Sequence, residues 1–303
     1  MIKSITVTNY LGDSIKFDLA RPELSGFAIM SVEGLGPGKS DINTTEVSTN
    51  DGGVFNSARL SSRNIVLSMV MWQDDIEAAR HQTYKYFPIK KKVTLLFETD
   101  NRVAEIDGYV EANEPRIFSS IEYTDISIIC PDPFFRAAGV NGTNITLFHD
   151  VDPLFEFPFC NDSLTDSLIE MSSVKHTNEQ VVIYKGDSEI GLTFVMYFLG
   201  EVANITLYNL STREVMKIDT GKLELLTGSP IKAGDEITIC TVKGKKSVTL
   251  IRDGEAINIL NCLSRDSQWF KLVKGDNIFA YASETGVDNM QLRIENGVIY
   301  EGV

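Results

Sequence analysis

The segment Gly34-Leu35-Gly36-Pro37-Gly38-Lys39-Ser40 holds the residue types of a phosphate cradle. A Walker-type loop needs G-x-x-x-x-G-K-[ST], which would put glycine where Glu33 stands. No helical pattern follows, so no helix N-terminus gathers amides for a phosphate. The glycines are better suited to a pliable entry into a long loop. The three histidines, His81, His149 and His176, do not stand at H-x-x-x-H spacing. Cys130, Cys160, Cys240 and Cys262 form no C-x-x-C pair, so neither a zinc site nor a thioredoxin-type site is expected. There is no G-x-S-x-G elbow for a serine nucleophile. With 42 acidic residues, neighbouring carboxylates are inevitable and do not by themselves make a glycosidase pair. Trp269 beside Phe270 has the makings of a sugar-stacking platform, although aromatics in a β-sandwich are commonly core. Trp72 is expected in the core or docked on a helix. The residues therefore assign no catalytic group, no metal ligand and no cofactor.

The net charge of −14 and pI of about 4.7 remove another class of function. Both halves are acidic, so the basic footprint that duplex nucleic acid demands is absent. Solubility is the plain use of such a surface. The opening Met1-Ile2-Lys3-Ser4 lacks the apolar stretch of a signal peptide, and cytoplasmic synthesis with free thiols is expected. The longest apolar run, Phe194 to Leu199, is too short to span a membrane.

The elements that would position any site are mostly strands. Ile5 and Val7 alternate with Thr6 and Thr8, a turn covers Asn9 to Ser14, and a third strand falls at about 26–33. A long polar loop then runs over about 36–58. Its strand-like portions, Thr44 to Val47 and Val54 to Phe55, suggest an extended arm or long hairpin. Ile65, Leu67, Met69 and Met71 alternate along the next strand. One helix is expected over 74–87. Asp74 is its N-cap with Glu77 three residues on, Ile76, Ala79, Thr83 and Phe87 share a face, and Pro88 stops it. Lys90, Lys91 and Lys92 follow as a solvated helix exit. Further strands at 93–98, 102–111 and 121–130 complete a first unit, closed by Pro131-Asp132-Pro133. The expected boundary is near Gly139, giving domains at 1–138 and 139–303. The second half has short strands at 236–242, 247–252 and 255–260. Asn296-Gly297 should join strands at 288–295 and 298–301 in a hairpin. That spacing of strands and turns implies a β-sandwich.

Several of these runs resemble one family. They are Trp72-x-Asp74-Asp75-Ile76-Glu77-Ala78-Ala79-Arg80, Lys92-Val93-Thr94-Leu95-Leu96-Phe97-Glu98, and the strand ending Cys130-Pro131-Asp132-Pro133-Phe134-Phe135. In the second half, Ala233-Gly234-Asp235-Glu236-Ile237, Ser267-Gln268-Trp269-Phe270 and the closing Tyr300-Glu301-Gly302-Val303 also fit. Together they resemble the phage distal tail proteins, over nearly the whole chain. The resemblance implies a mainly β protein with an N-terminal split β-barrel carrying one α-helix and a C-terminal galectin-like β-sandwich. It implies a non-enzymatic ring, a homohexamer, at the virion tail tip. The expected partners are the tail tube protein, a tail-associated hub protein and, in some members, a receptor-binding protein. An arm at 36–58 would reach a neighbouring copy by strand addition, with Leu35, Val47, Val54 and Phe55 as apolar anchors. Two other functions are compatible with a tail tip: a carbohydrate-binding module that recognises the host, and a cell-wall hydrolase.

Overall fold

In the computed structural model the described residues are all but 47–50, 120, 140–141, 154–171 and 177, with backbone only at 149–153 and 172–176. The chain divides into two compact units. The first comprises Met1–Gly142 with Ile299–Val303, and the second comprises Thr143–Val298.

The first unit contains β1 (Ile2–Asn9), β2 (Ser14–Asp18), β3 (Phe27–Glu33), β4 (Ser40–Glu46), β5 (Gly53–Leu60), β6 (Arg63–Met71), α1 (Ile76–Tyr86), β7 (Lys92–Thr99), β8 (Val103–Arg116), β9 (Tyr123–Cys130) and β10 (Phe135–Ala137). The second holds β11 (Thr143–Leu147), β12 (His149–Pro153), β13 (Ser172–His176), β14 (Glu179–Tyr184), β15 (Thr193–Phe198), β16 (Ala203–Asn209), β17 (Glu214–Ile218), α2 (Thr220–Thr227), β18 (Glu236–Cys240), β19 (Ser247–Arg252), β20 (Glu255–Asn258), β21 (Gly275–Thr285) and β22 (Met290–Gly297). The short β23 (Ile299–Tyr300) then returns to the first unit.

The main sheet of the first unit is antiparallel in the order β2-β1-β7-β8-β9-β6-β3, with β10 added beside β8 and β23 beside β10, while β4 and β5 form a separate two-stranded sheet. Strand alternation supplies its core, because successive side chains face opposite sides. Ile65, Leu67, Met69 and Met71 of β6 all point inward, as do Val93, Leu95 and Phe97 of β7 and Ile126, Ile128 and Cys130 of β9. Each such side chain contributes about 1.5–3 kcal/mol by leaving water. Among the described residues no ladder joins the outer strands β2 and β3, so the sheet is open and not a closed barrel. The two strands meet through side chains: the Phe17 and Phe27 rings pack edge to face at 5.8 Å, and Phe87 stacks on Phe17 at 6.4 Å.

Helix α1 packs as its spacing requires, with Ala79 and Thr83 buried, Phe87 beneath its end and Ile76 against the core. Its cap is one residue later than the sequence suggested. The Asp75 carboxylate, not that of Asp74, accepts the Ala78 N–H at 2.9 Å. Trp72 is also displaced from expectation. It lies beyond the inward register of β6, its N–H is spent on the Gly26 carbonyl, and its side chain is exposed.

The second unit is mainly two antiparallel sheets, β11-β22-β15-β18-β19-β20 and β14-β21-β16-β17. They face each other through aromatic side chains. Phe194 of β15 meets Phe279 of β21 at 5.6 Å, and both touch Phe270. This is a sandwich core. The sequence reading missed α2, an eight-residue helix capped by Asp219, whose carboxylate accepts the Lys222 N–H. It also mispaired the last strand. The 298–301 segment does not fold back on β22; instead β23 pairs with β10, Phe135 opposite Tyr300 and Arg136 opposite Ile299. The return strand therefore belongs to the first unit rather than to the expected second domain.

Candidate assembly surface

The long polar loop is a hairpin. β4 and β5 pair only with each other, from Ser40↔Leu60 to Glu46↔Gly53, with one bulge between Asn43 and Thr44. Every residue of both strands is exposed. Two strands without a core are marginal in water. Local polar contacts hold this pair: Asn56 Nδ2 donates to Thr45 Oγ1 at 2.6 Å, Ser61 Oγ donates to Asp41 at 2.8 Å, and Arg59 pairs with the same carboxylate at 3.5 Å.

The four predicted anchors are not brought together. Val54 and Phe55 stand on β5, about three-fifths exposed. Phe55 lies opposite Thr44, which puts it on the same ribbon face as Ile42; Val54, opposite Thr45, takes the other face. Ile42 is equally exposed and was not picked out from the sequence. Its signal was the alternation of β4, too weak to notice among Ser, Asp, Asn and Thr. Leu35 is no arm anchor, because it packs against the core of the first unit. Val47 lies outside the described residues.

The hairpin base is built around Arg63, the first residue of β6. The guanidinium is buried and donates to four backbone carbonyls: Gly34 at 2.6 Å, Gly36 at 2.5 Å, Pro133 at 2.7 Å and Glu301 at 2.6 Å. It also lies over the Phe135 ring, 4.7 Å from its centre. Burial pulls its pKa below the ordinary guanidinium value. Around it, the Val303 N–H donates to the Leu35 carbonyl at 3.0 Å, and Arg102 covers the Tyr300 ring at 4.6 Å. Gly34 has φ of +82°, and a Cβ there would stand 2.1 Å from the Asn64 carbonyl oxygen. The run that imitated a phosphate loop thus turns its carbonyls, not its amides, toward a cation of the protein itself.

The remaining chemical candidates disperse. Cys130 and Cys262 are buried free thiols and Cys240 is a half-buried one, while Cys160 lies outside the described residues. Burial pushes the Cys130 thiol up to about 12. His81 is exposed beside Glu77, and His149 and His176 are opposite each other in the β12–β13 ladder. Among the described residues no group of three or more His, Cys, Asp or Glu could hold a metal ion. Trp269 is half-buried with the Lys246 ammonium 5.0 Å from its ring centre, so that ring face is already covered. No described helix is long and apolar enough to cross a membrane.

Residues 185–294 match the family model of the siphovirus-type tail component, C-terminal domain. No curated protein matches. Among solved structures, the Dit (gp 19.1) protein of phage SPP1 aligns over 97% of this chain and 98% of its own, at 12% identity and a TM-score of 0.64. That protein is described as a paradigm of the hub adsorption apparatus in phages infecting Gram-positive bacteria. The phage P2 baseplate in its activated conformation also aligns. The form with Ca gives 11% identity over 98% of both chains with a TM-score of 0.45, and the form with Sr gives 11% over 97% of both with 0.43. Within the second unit the likeness to the siphovirus-type tail component C-terminal domain covers most of the described residues. The whole chain has the fold of a Dit-type distal tail protein.

Proposed function

We propose that this chain is a structural distal tail protein, a ring subunit that joins a phage tail tube to the tail-tip hub or baseplate. One observation carries the reading. The chain matches a tail-component domain in its second unit and follows the Dit fold over 97% of its length. Fold by itself does not fix function, and the coincidence of fold with a tail-specific domain is what gives the assignment weight. The ring is a homohexamer of first units at the virion tail tip, made in the bacterial host cytoplasm. Its partners are the tail tube protein, a tail-associated hub protein and a receptor-binding protein. The domains divide the work: the first unit closes the ring and the second faces partners.

Ring closure requires a heterologous contact, in which one surface of each copy meets a different surface of the next. The β4–β5 hairpin suits that task. It presents Ile42 and Phe55 on one face and Val54 on the other, and both outer edges offer unpaired backbone groups for strand addition.

The test is light scattering of the purified chain with negative-stain imaging of the same sample. A closed ring of about six copies supports the reading; a stable monomer overturns the self-assembling ring. Replacing residues 40–60 by a short glycine-serine turn separates the arm from the rest. Loss of rings with the core intact supports the arm, and undiminished rings remove it.

A further inference from the structure

The base of the arm rests on one buried cation, and this observation deepens the assembly reading above and depends on it. The hairpin touches no core along its strands, so its direction is set only where its two legs leave the sheet. The outgoing leg begins at Gly34 and Gly36, whose carbonyls both accept from Arg63 Nη1. The returning leg ends at Arg63 itself, the residue that opens β6. One guanidinium therefore holds both legs. The same group reaches Pro133, just before β10, and Glu301, just after β23.

We propose that Arg63 is the positioning residue of the arm, fixing its departure from the sheet and making that geometry depend on the docked β23 segment. Three features favour this over a role as ordinary core filling. Among the described residues the hydrogen bonds that Arg63 donates go to loop carbonyls that no ladder satisfies, and the nearby Glu301 carboxylate adds a Coulombic attraction. The acceptors come from three separate stretches, 34–36, 133 and 301, and only a planar fork with several donors addresses them together. Finally, the Gly34 turn sets the outgoing leg so close to the Asn64 carbonyl that its path has little slack.

The test uses the full chain, Arg63→Lys, and a variant lacking residues 299–303, with hydrogen exchange and ring yield as readouts. Lysine keeps the charge and the stem but loses the fork. In Arg63→Lys, exchange over 34–46 and 299–303 should rise by about tenfold, the loss expected for one charged hydrogen bond. Exchange in α1 and the second unit should stay unchanged, and the concentration for half-assembly should rise by a similar factor. The truncated chain, which keeps Arg63 but loses the Glu301 carbonyl, should show the same faster exchange at 34–46. Wild-type assembly by Arg63→Lys overturns the proposal, as does exchange that rises evenly across the first unit. If Arg63→Lys does not fold, unchanged exchange at 34–46 in the truncated chain overturns it instead. A wild-type chain that never forms rings sinks the ring reading, while the exchange result still decides whether Arg63 holds the arm.

Discussion

The first unit contains two hairpins of opposite character. In β8–β9 the residues alternate between core and solvent, with Ala104, Ile106 and Val110 on one strand and Ile126, Ile128 and Cys130 on the other buried in the sheet. In β4–β5 nothing is buried at all. The same backbone pairing serves both, so pairing is not what makes a hairpin stable in isolation. Burial stabilises the first. The second is held by its own ladder, a few polar contacts and the Arg63 base, and its apolar residues are left facing outward. A hairpin of this kind suits the contact with a neighbouring copy proposed above.

Mutations can break this contrast at its strong end. Phe135 is fully buried, packs edge to face on Phe97 and lies beneath Arg63. Phe135→Ala should cost about 3–5 kcal/mol in chemical denaturation, the usual range for a buried aromatic. A loss below about 1 kcal/mol would mean the site collapses around the missing ring. Asp75→Ala removes the N-cap of α1 and should cost about 1 kcal/mol, while Asp74→Ala should be nearly neutral. A larger loss from Asp74→Ala than from Asp75→Ala would return the cap to Asp74. At the weak end, Phe55→Ser should change monomer stability by less than about 0.5 kcal/mol, as for an exposed residue, yet abolish rings in light scattering. Rings that survive would leave the exposed phenylalanine without a role.

Two solution measurements sharpen the same contrast with smaller signals. Cys130 sits at the buried end of β9 with its thiol pushed up to about 12, so it should resist alkylation at pH 8 until the chain unfolds. A single cysteine introduced on β5 should react at once. Asp107 offers an acid-side probe. Burial would raise its pKa, but hydrogen bonds from Arg136, Thr94 and Lys92 outweigh that and hold it below the ordinary value. A lowered folded-state pKa means its contribution is complete above about pH 4, the unfolded value, and fades as pH falls through the lower one. Asp107→Asn should therefore flatten part of the acid limb of the stability profile, loosening Arg136 on β10.

Much of the first unit was legible because β6, β7 and β9 alternate without interruption, and that pattern needs no tertiary information. The helix was legible for the same reason, apart from which of two adjacent aspartates caps it, a choice made by backbone geometry at a single residue. The arm was visible only as a polar stretch with strand-like ends. Ile42 escaped because its neighbours are all polar, and Leu35 was misplaced because a residue beside glycines gives no sign of which side it packs on. Trp72 follows directly on the inward Met71, so the alternation of β6 already turns it outward, and its size was the misleading signal. The pairing of β23 with β10 was out of reach, since Asn296-Gly297 is a good turn signal and nothing local says that the chain runs past it. Arg63 is the clearest omission. A lone arginine at the start of a strand has no motif, and its acceptors are backbone oxygens up to 238 residues away.

That return of β23 has a consequence for how such a molecule can change. The second unit begins after Gly142 and ends before Ile299, and the segments flanking it, β10 and β23, are paired strands of the first unit. Topologically it is an insert whose entry and exit are already clasped side by side. A stretch of that kind can be exchanged for another of different length, provided the replacement also brings its two ends together. The second unit could then diversify while the sheet of the first unit stays fixed.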